Sequence, residues 1–522
     1  MLSSRRQFLN ATGLALGTVA FPSWVLDSDA AEATAVNKDR WADIAISSAR
    51  KIGATYADIR INRYRFESVA TREKQVQQVA RTQSFGFGVR VLWKGTWGFA
   101  ATHTVTDDEV RRVTRQAVDI ARANSISQRK PVALVPAAKV VASWKSSFQK
   151  DPFEVKLDDK IQFLLKINET AMKVKGVSFV DSSILFVNEQ KFFASSDGSR
   201  IEQYLIRSAP DFNVTAVDSA RADFQQRRSL GGPQQMGYEY VETYPWMNEA
   251  EQAANEAVEK LKAKPVEPGR YDLVLHPTHL MLTIHESVGH STELDRALGW
   301  EADFAGTSFL APDQTGHFKF GSKIVNFFGD RTQPQGLATI GYDDDGVPAQ
   351  RWFLVREGVF VDWQTTRELA GLMGRKSSFG CCHADSWGSV PFPRMPNVSL
   401  EPAKDPISME DLISDVKNGI LIYGNGSFSI DQQRYNFQFG GQTFWEIKNG
   451  KKRSMMRDVA YQSRTPDFWS ACDGIGGQAT YEVHGALNDG KGEPMQTNAV
   501  SHGCPVARFR QISVLNTATQ RS

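Results

Sequence analysis

Two histidines flank a carboxylate in His285-Glu286-Ser287-Val288-Gly289-His290, directly after the apolar run 280–284. Imidazole nitrogen is a preferred zinc ligand, and a catalytic zinc takes three protein ligands while keeping one position open for water. A glutamate beside the first histidine stands where a general base for that water would sit. The pattern therefore points to metal-assisted hydrolysis. Its spacing departs from the helical i, i+4 arrangement, because residues i and i+5 lie roughly 140° apart on a regular α-helix. Both imidazoles reach one ion only if the helix is distorted or ends between them. Gly289 is expected to provide that break, since glycine tolerates backbone conformations closed to other residues. By spacing alone, the segment fits equally well a buried helix with two polar residues on different faces.

The elements that must position this segment divide into two parts. An amphipathic helix over about 38–52 ends at Gly53, with Trp41, Ile44, Ala45 and Ala49 on one side. Alternating runs come next at Ile59/Ile61, 85–92 and Trp97/Phe99, with Lys94-Gly95 as a hairpin turn. Thr106-Asp107-Asp108-Glu109 caps a helix reaching about Ala123, and further helices are expected over about 158–175 and 249–263, with strands through 178–217 between them. Pro265, Pro268 and Gly269 punctuate the chain, which places a boundary between an N-terminal α+β domain (34–265) and a C-terminal domain (266–522). The second domain opens on a buried strand, 271–275, and Pro277 suits the first turn of the motif helix. Short β-like runs dominate the chain beyond that helix, interrupted by a helix over about 409–418 capped by Ser408. The fold class is α+β, with a mainly β C-terminal domain carrying the motif helix.

The run from His285 through His290 to Ser291-Thr292-Glu293-Leu294-Asp295 resembles the H-E-x-x-G-H-x-x-E-x-D signature of the TldD/PmbA metallopeptidases, on their metal-bearing TldD side. Asp343-Asp344-Asp345-Gly346 resembles that family's D-D-E-G turn, Arg394-Met395-Pro396-Asn397 its R-M-x-N segment, and Gly440-Gly441-Gln442 comes after them in order. Ala57-Asp58-Ile59 through Gly86-Phe87-Gly88-Val89-Arg90 resembles its first domain, so the likeness spans nearly the whole chain. The resemblance implies that His285, His290 and Cys472 hold the metal and that Glu286 is the base. Cys472 is placed by likeness to a C-G-K-D-G-Q element, which reads here Cys472-Asp473-Gly474-Ile475-Gly476-Gly477-Gln478, with no lysine and one extra residue. Cys504 is the alternative thiolate, otherwise an ordinary buried cysteine. Glu293 and Asp295 are expected to orient a ligand histidine, or else to cap a helix. His276 and His279 are expected to cap or line the cleft, and His383, His484 and His502 to be solvated or satisfied in a core. Cys381 and Cys382 read as two packed thiols.

A thiolate ligand favours zinc. The resemblance further implies small or unfolded peptide substrates, taken in an enclosed space within a dimer. That dimer is either a homodimer or a heterodimer with a metal-free homologue. Two other readings are a non-catalytic partner subunit with a structural metal site and a metal-dependent amidase on modified or cell-wall peptides. Composition narrows the field elsewhere. The 522 residues carry a net charge of +2, too balanced for nucleic-acid binding, and 4 cysteines are too few for a disulfide scaffold. Ser4-Arg5-Arg6-Gln7-Phe8-Leu9-Asn10 resembles a twin-arginine export signal, and Ala31-Glu32-Ala33 offers a cleavage site. Residues 1–33 are thus expected to be a removed signal peptide. The protein would then be periplasmic or exported, without a stable membrane anchor, since the apolar stretch is short and interrupted by glycine.

Overall fold

The computed structural model describes residues 37–518; the twin-arginine-like segment lies outside them. Long alternating runs in the first half form a seven-stranded sheet: β1 (Tyr56–Arg72), β2 (Gln75–Trp93), β3 (Thr96–Thr102), β4 (Val141–Lys145), β5 (Val177–Ser195), β6 (Arg200–Asp218) and β7 (Asp223–Arg228). Its order is β3-β2-β1-β5-β6-β4, with β7 also paired to β6. The β2–β3 turn takes the left-handed conformation at both Lys94 (φ 47°) and Gly95 (φ 78°), as a two-residue hairpin requires. Helices Lys38–Lys51 and Asp107–Asn124 cover one part of the sheet, burying Ala42, Ala45, Ile46 and Ala49 against Val113, Ala117 and Ala121. Trp41 and Ile44 lie at the margin of that face, half-buried. Thr106 caps the second helix by accepting from the Glu109 N–H. Helices Leu157–Met172 and Trp246–Lys260 cover β5 and β6 through Ile167, Ala171, Ala250, Ala254 and Trp246.

A ten-stranded sheet organises the second half. Strand Gly269–Leu275 lies near its middle, parallel to Asn418–Tyr423 and antiparallel to Ala507–Asn516. Its second half, from Asp272 to Leu275, is buried and delivers the chain into the motif helix. The helix capped by Ser408 stops at Ser414, short of the expected end, because Asn418 already pairs with Lys448 in the sheet. A separate hairpin, Glu482–Lys491 with Gln496–Cys504, packs against the motif helix. The halves are joined by buried charge: Arg90 on β2 pairs with Asp58 and with Asp345, each at 2.7 Å, and Lys191 pairs with Asp344. The Asp343–Gly346 turn is therefore an interdomain clasp. Among the described residues no helix is long and apolar enough to cross a membrane.

Candidate metal centre

His276 opens the motif helix, its Nδ1 accepting from the Thr278 N–H, and Pro277 occupies the first turn, where its missing N–H costs nothing. After Pro277–Ile284 the backbone widens into a π-turn over His285–Gly289, closed by a hydrogen bond from the His290 N–H to the His285 carbonyl. This i→i+5 bond absorbs the extra residue of the motif and brings the two imidazoles to one side, edge to face, with ring centroids 4.6 Å apart. Gly289 serves it differently from the expectation. Its backbone is ordinary helix (φ −56°, ψ −60°), so no conformational freedom is used. What glycine provides is the absence of a Cβ, which would stand 2.5 Å from the Met395 sulfur. Gln364 supports the turn, its Nε2 donating to the Gly289 carbonyl (2.6 Å) and to Thr292 Oγ1 (2.8 Å).

Hydrogen bonds fix which nitrogen each histidine presents. His502 Nδ1 lies 2.8 Å from the Val398 carbonyl, which only accepts, so that nitrogen carries a proton and His502 Nε2 holds a lone pair. His285 Nδ1, 2.8 Å from His502 Nε2, must then donate, which leaves His285 Nε2 as an acceptor. His290 Nδ1 lies 2.9 Å from Glu293 Oε2, which only accepts, and 3.1 Å from Arg296 Nη2, which only donates; the shorter, carboxylate contact makes it the donor and leaves its Nε2 free in the same way. Both free nitrogens face Asp489 Oδ1, at 3.7 Å from His285 and 3.5 Å from His290. The Asp489 carboxylate is itself anchored. Arg394 donates to its Oδ2 at 3.1 Å and to its backbone carbonyl, so one oxygen is left facing the histidines. Burial alone would raise this carboxyl; the interaction it would make with a protonated His290, together with the Arg394 charge, outweighs burial and pulls the pKa down to about 2. Burial, reinforced by His285, lowers His502 to about 3, so it stays a neutral acceptor.

Around these donors runs a buried ionic shell. Lys491 Nζ reaches Glu293 Oε1 (2.9 Å), Asp295 Oδ2 (2.7 Å) and the Pro393 carbonyl (3.0 Å). Glu293 would be raised by burial, yet Lys491 and Arg296 hold it well below the carboxylate range. Glu286 turns the other way and pairs through Oε2 with Arg434 Nη1 at 2.6 Å. Among the described residues, the one group of three His, Cys, Asp or Glu donors within 4.8 Å of one another is His285, His290 and Asp489.

The structure thus brings His285, His290 and Glu293 together, pairs the neighbouring Glu286 with Arg434, and ties Asp295 to Lys491 instead of to a histidine. It does not bring a thiol to them. Cys472 opposes Phe509 in the large sheet and is buried in the apolar core, its Sγ 3.9 Å from the Gly474 carbonyl. Cys504 lies under the start of the motif helix, 3.8 Å from the Pro277 carbonyl. The third converging donor is Asp489, which sequence reasoning missed. The sequence does carry a signal for it: the Gly-Lys pair of the C-G-K-D-G-Q element, absent from 472–478, stands at Gly490-Lys491, with aspartate in the cysteine's place. His502 and Arg394 owe their roles to hairpin register and to the 397–400 strand beside it, where Asn397 Oδ1 accepts from the Ser501 N–H. Cys381 and Cys382 are both buried free thiols.

Two imidazole nitrogens and a carboxylate oxygen converge here as a donor set that could hold a single metal ion, with Glu286 next in sequence to one of its histidines. Matches to known proteins agree with such a centre. Residues 57–121 match the PmbA/TldA metallopeptidase domain 1, 150–264 the central domain and 268–516 the C-terminal domain of the same family. The chain belongs to the PmbA/TldD metallopeptidase family. It is 26% identical over 442 residues to a metalloprotease of Methanocaldococcus jannaschii, covering 84% of this chain and 94% of the relative. It is 21% identical over 473 residues to a zinc metalloprotease TldD homolog of Saccharolobus solfataricus, covering 90% and 98%. Among solved structures, TldE from Thermococcus kodakarensis superposes with a TM-score of 0.68 at 16% identity, over 90% of this chain and 98% of that one. A Thermotoga maritima protein described as a modulator of DNA gyrase gives 0.71 at 16% identity, over 92% and 100%.

Proposed function

We propose that the protein is a zinc-dependent metallopeptidase acting on small or unfolded peptides. The observation that carries this reading is the convergence of His285 Nε2, His290 Nε2 and Asp489 Oδ1, with the Nδ1 of each histidine committed to another partner. Such a donor set fits zinc, as does the name of the Saccharolobus solfataricus relative. The ion, when bound, would polarise the scissile carbonyl and acidify an attacking water.

The chain's own groups do the rest. His502 and Glu293 hold the two imidazoles in one tautomer, and Arg394 holds the Asp489 carboxylate. Glu286 takes the proton of the attacking water and returns it to the leaving amine. Arg434 occupies its Oε2 and leaves Oε1 for that transfer. A cavity of about 500 Å³ lies between the two halves of the molecule, lined by Ile184, Thr278, Met281, Asn425 and Leu487. Met281 precedes His285 by four residues and Leu487 precedes Asp489 by two, so the cavity is lined by the same helix and strand that carry the metal donors.

On the same reading the protein is exported through the twin-arginine-like segment and works as a dimer. It would be either the catalytic half of a heterodimer with a metal-free homologue or an active homodimer. The test compares two variants for metal content and peptide cleavage. Glu286→Gln is expected to keep the metal and lose cleavage, and His290→Ala to lose both. Full cleavage by Glu286→Gln would refute the mechanism.

A further inference from the structure

We propose that this centre contains no thiolate: Asp489 takes the third ligand position, so the protein loads harder divalent ions such as Mn²⁺ alongside Zn²⁺ and keeps its metal when its cysteines are oxidised. The inference rests on the metallopeptidase reading and adds the class of ion and the chemistry of its loss.

Three features of the chain support it. The carboxylate is committed to the role, with Arg394 taking Oδ2 so that Oδ1 alone faces the two histidine nitrogens. The register is also locked. Lys491, two residues on and fully buried, is tied to Glu293, Asp295 and the Pro393 carbonyl. His502 on the paired strand is held by Val398 and by His285. Sliding the hairpin to exchange Asp489 for another residue would break every one of these bonds. Finally, all four cysteines are buried elsewhere: Cys472 in the apolar core, Cys504 against Pro277, and Cys381 and Cys382 beside the interdomain clasp. Burial also keeps them thiols, pushing Cys472 up to about 12 and Cys381 to about 11.

The chemical consequence comes from ligand softness. Thiolate selects soft and borderline ions, whereas carboxylate suits harder ones, and two histidines with one carboxylate occur at both zinc and iron(II) centres. Thiolate ligands are also the ones oxidants remove, passing to sulfenic acid and beyond. A carboxylate has no corresponding step. Such a centre suits the oxidising compartment to which the twin-arginine-like segment would deliver the chain.

Cobalt(II) substitution reads the ligand set directly. The full chain, stripped of metal and reloaded with Co²⁺, is expected to show ligand-field bands without a strong near-ultraviolet thiolate-to-cobalt band. Cys472→Ser and Cys504→Ser should leave that spectrum unchanged, while Asp489→Cys should acquire the band and bind Mn²⁺ at least about tenfold more weakly. Peroxide treatment should release no metal from the native chain. A thiolate band in the native protein, lost in Cys472→Ser or Cys504→Ser, would overturn the proposal and leave the peptidase reading standing. Failure of the folded native chain to bind any divalent ion would overturn both. The native spectrum alone decides the question if Asp489→Cys does not fold.

Discussion

Gly289→Ala separates two explanations of the glycine in the motif. At φ −56° and ψ −60° an alanine is unstrained, and helix propensity alone would favour it over glycine by about 1 kcal/mol. Its Cβ, however, would stand 2.5 Å from Met395 Sδ and 2.7 Å from Met395 Cε. Met395 is fully buried in the large core, so its thioether yields only by displacing neighbours, at a cost of about 1–3 kcal/mol. The expected net effect in the native background is a destabilisation of about 1 kcal/mol. Met395→Ala alone should cost about 2–5 kcal/mol through the cavity it leaves. In that background the new methyl enters vacated space and keeps the helix gain, so Gly289→Ala should stabilise by about 1 kcal/mol. The two steps differ in sign, giving a coupling of about 2 kcal/mol. Urea midpoints of the four proteins, measured by tryptophan fluorescence, give that coupling. If Gly289→Ala has the same sign in both backgrounds, the steric account of the π-turn is wrong.

The same contacts set three further outcomes. His502→Ala removes the acceptor for His285 Nδ1, and metal affinity measured by competition with a chromogenic chelator should fall about 10–100-fold, with Glu286 and Asp489 untouched. His279 sits between the Gly424 carbonyl and the Tyr461 hydroxyl, each at 2.9 Å, and burial lowers its pKa to about 4. Unfolded chain therefore binds more protons between the ordinary histidine value, about 6.5, and pH about 4. The stability advantage of the native protein over His279→Gln should be complete above that window and shrink as pH falls through it, as read by denaturation at several pH values. Asp345→Asn weakens one of the two buried pairs of Arg90, the other being to Asp58, and should loosen the interdomain contact by about 1–3 kcal/mol, seen as faster proteolytic cleavage near residues 264–268.

Much of this molecule is legible locally. The motif histidines and their glutamate, the strand and proline that deliver them, the Thr106 cap and the Lys94-Gly95 turn are all readable from spacing and residue type. The third donor is not. Gly-rich surroundings single out Cys472, whose segment in fact closes a sheet edge against the strand Ala507–Asn516. The lysine two residues after Asp489, Lys491, is informative only because it is buried among Glu293 and Asp295, a contact spanning 198 residues in the case of Glu293. His502 reads as a lone histidine because its partners, His285 and the Val398 carbonyl, are brought to it by the fold. Gly289 is marked as special by the motif, but spacing suggests the wrong reason, since the atom it avoids belongs to Met395, far along the chain. Local chemistry announces a metal helix; which side chains complete it is decided by register.

Anomalous diffraction from crystals of the metal-loaded protein, collected at the edge of the bound metal, tests the central claim most directly. The account predicts one strong peak about 2.0–2.2 Å from His285 Nε2, His290 Nε2 and Asp489 Oδ1 together. A peak bonded to Cys472 or Cys504, or one that omits either histidine, would contradict it.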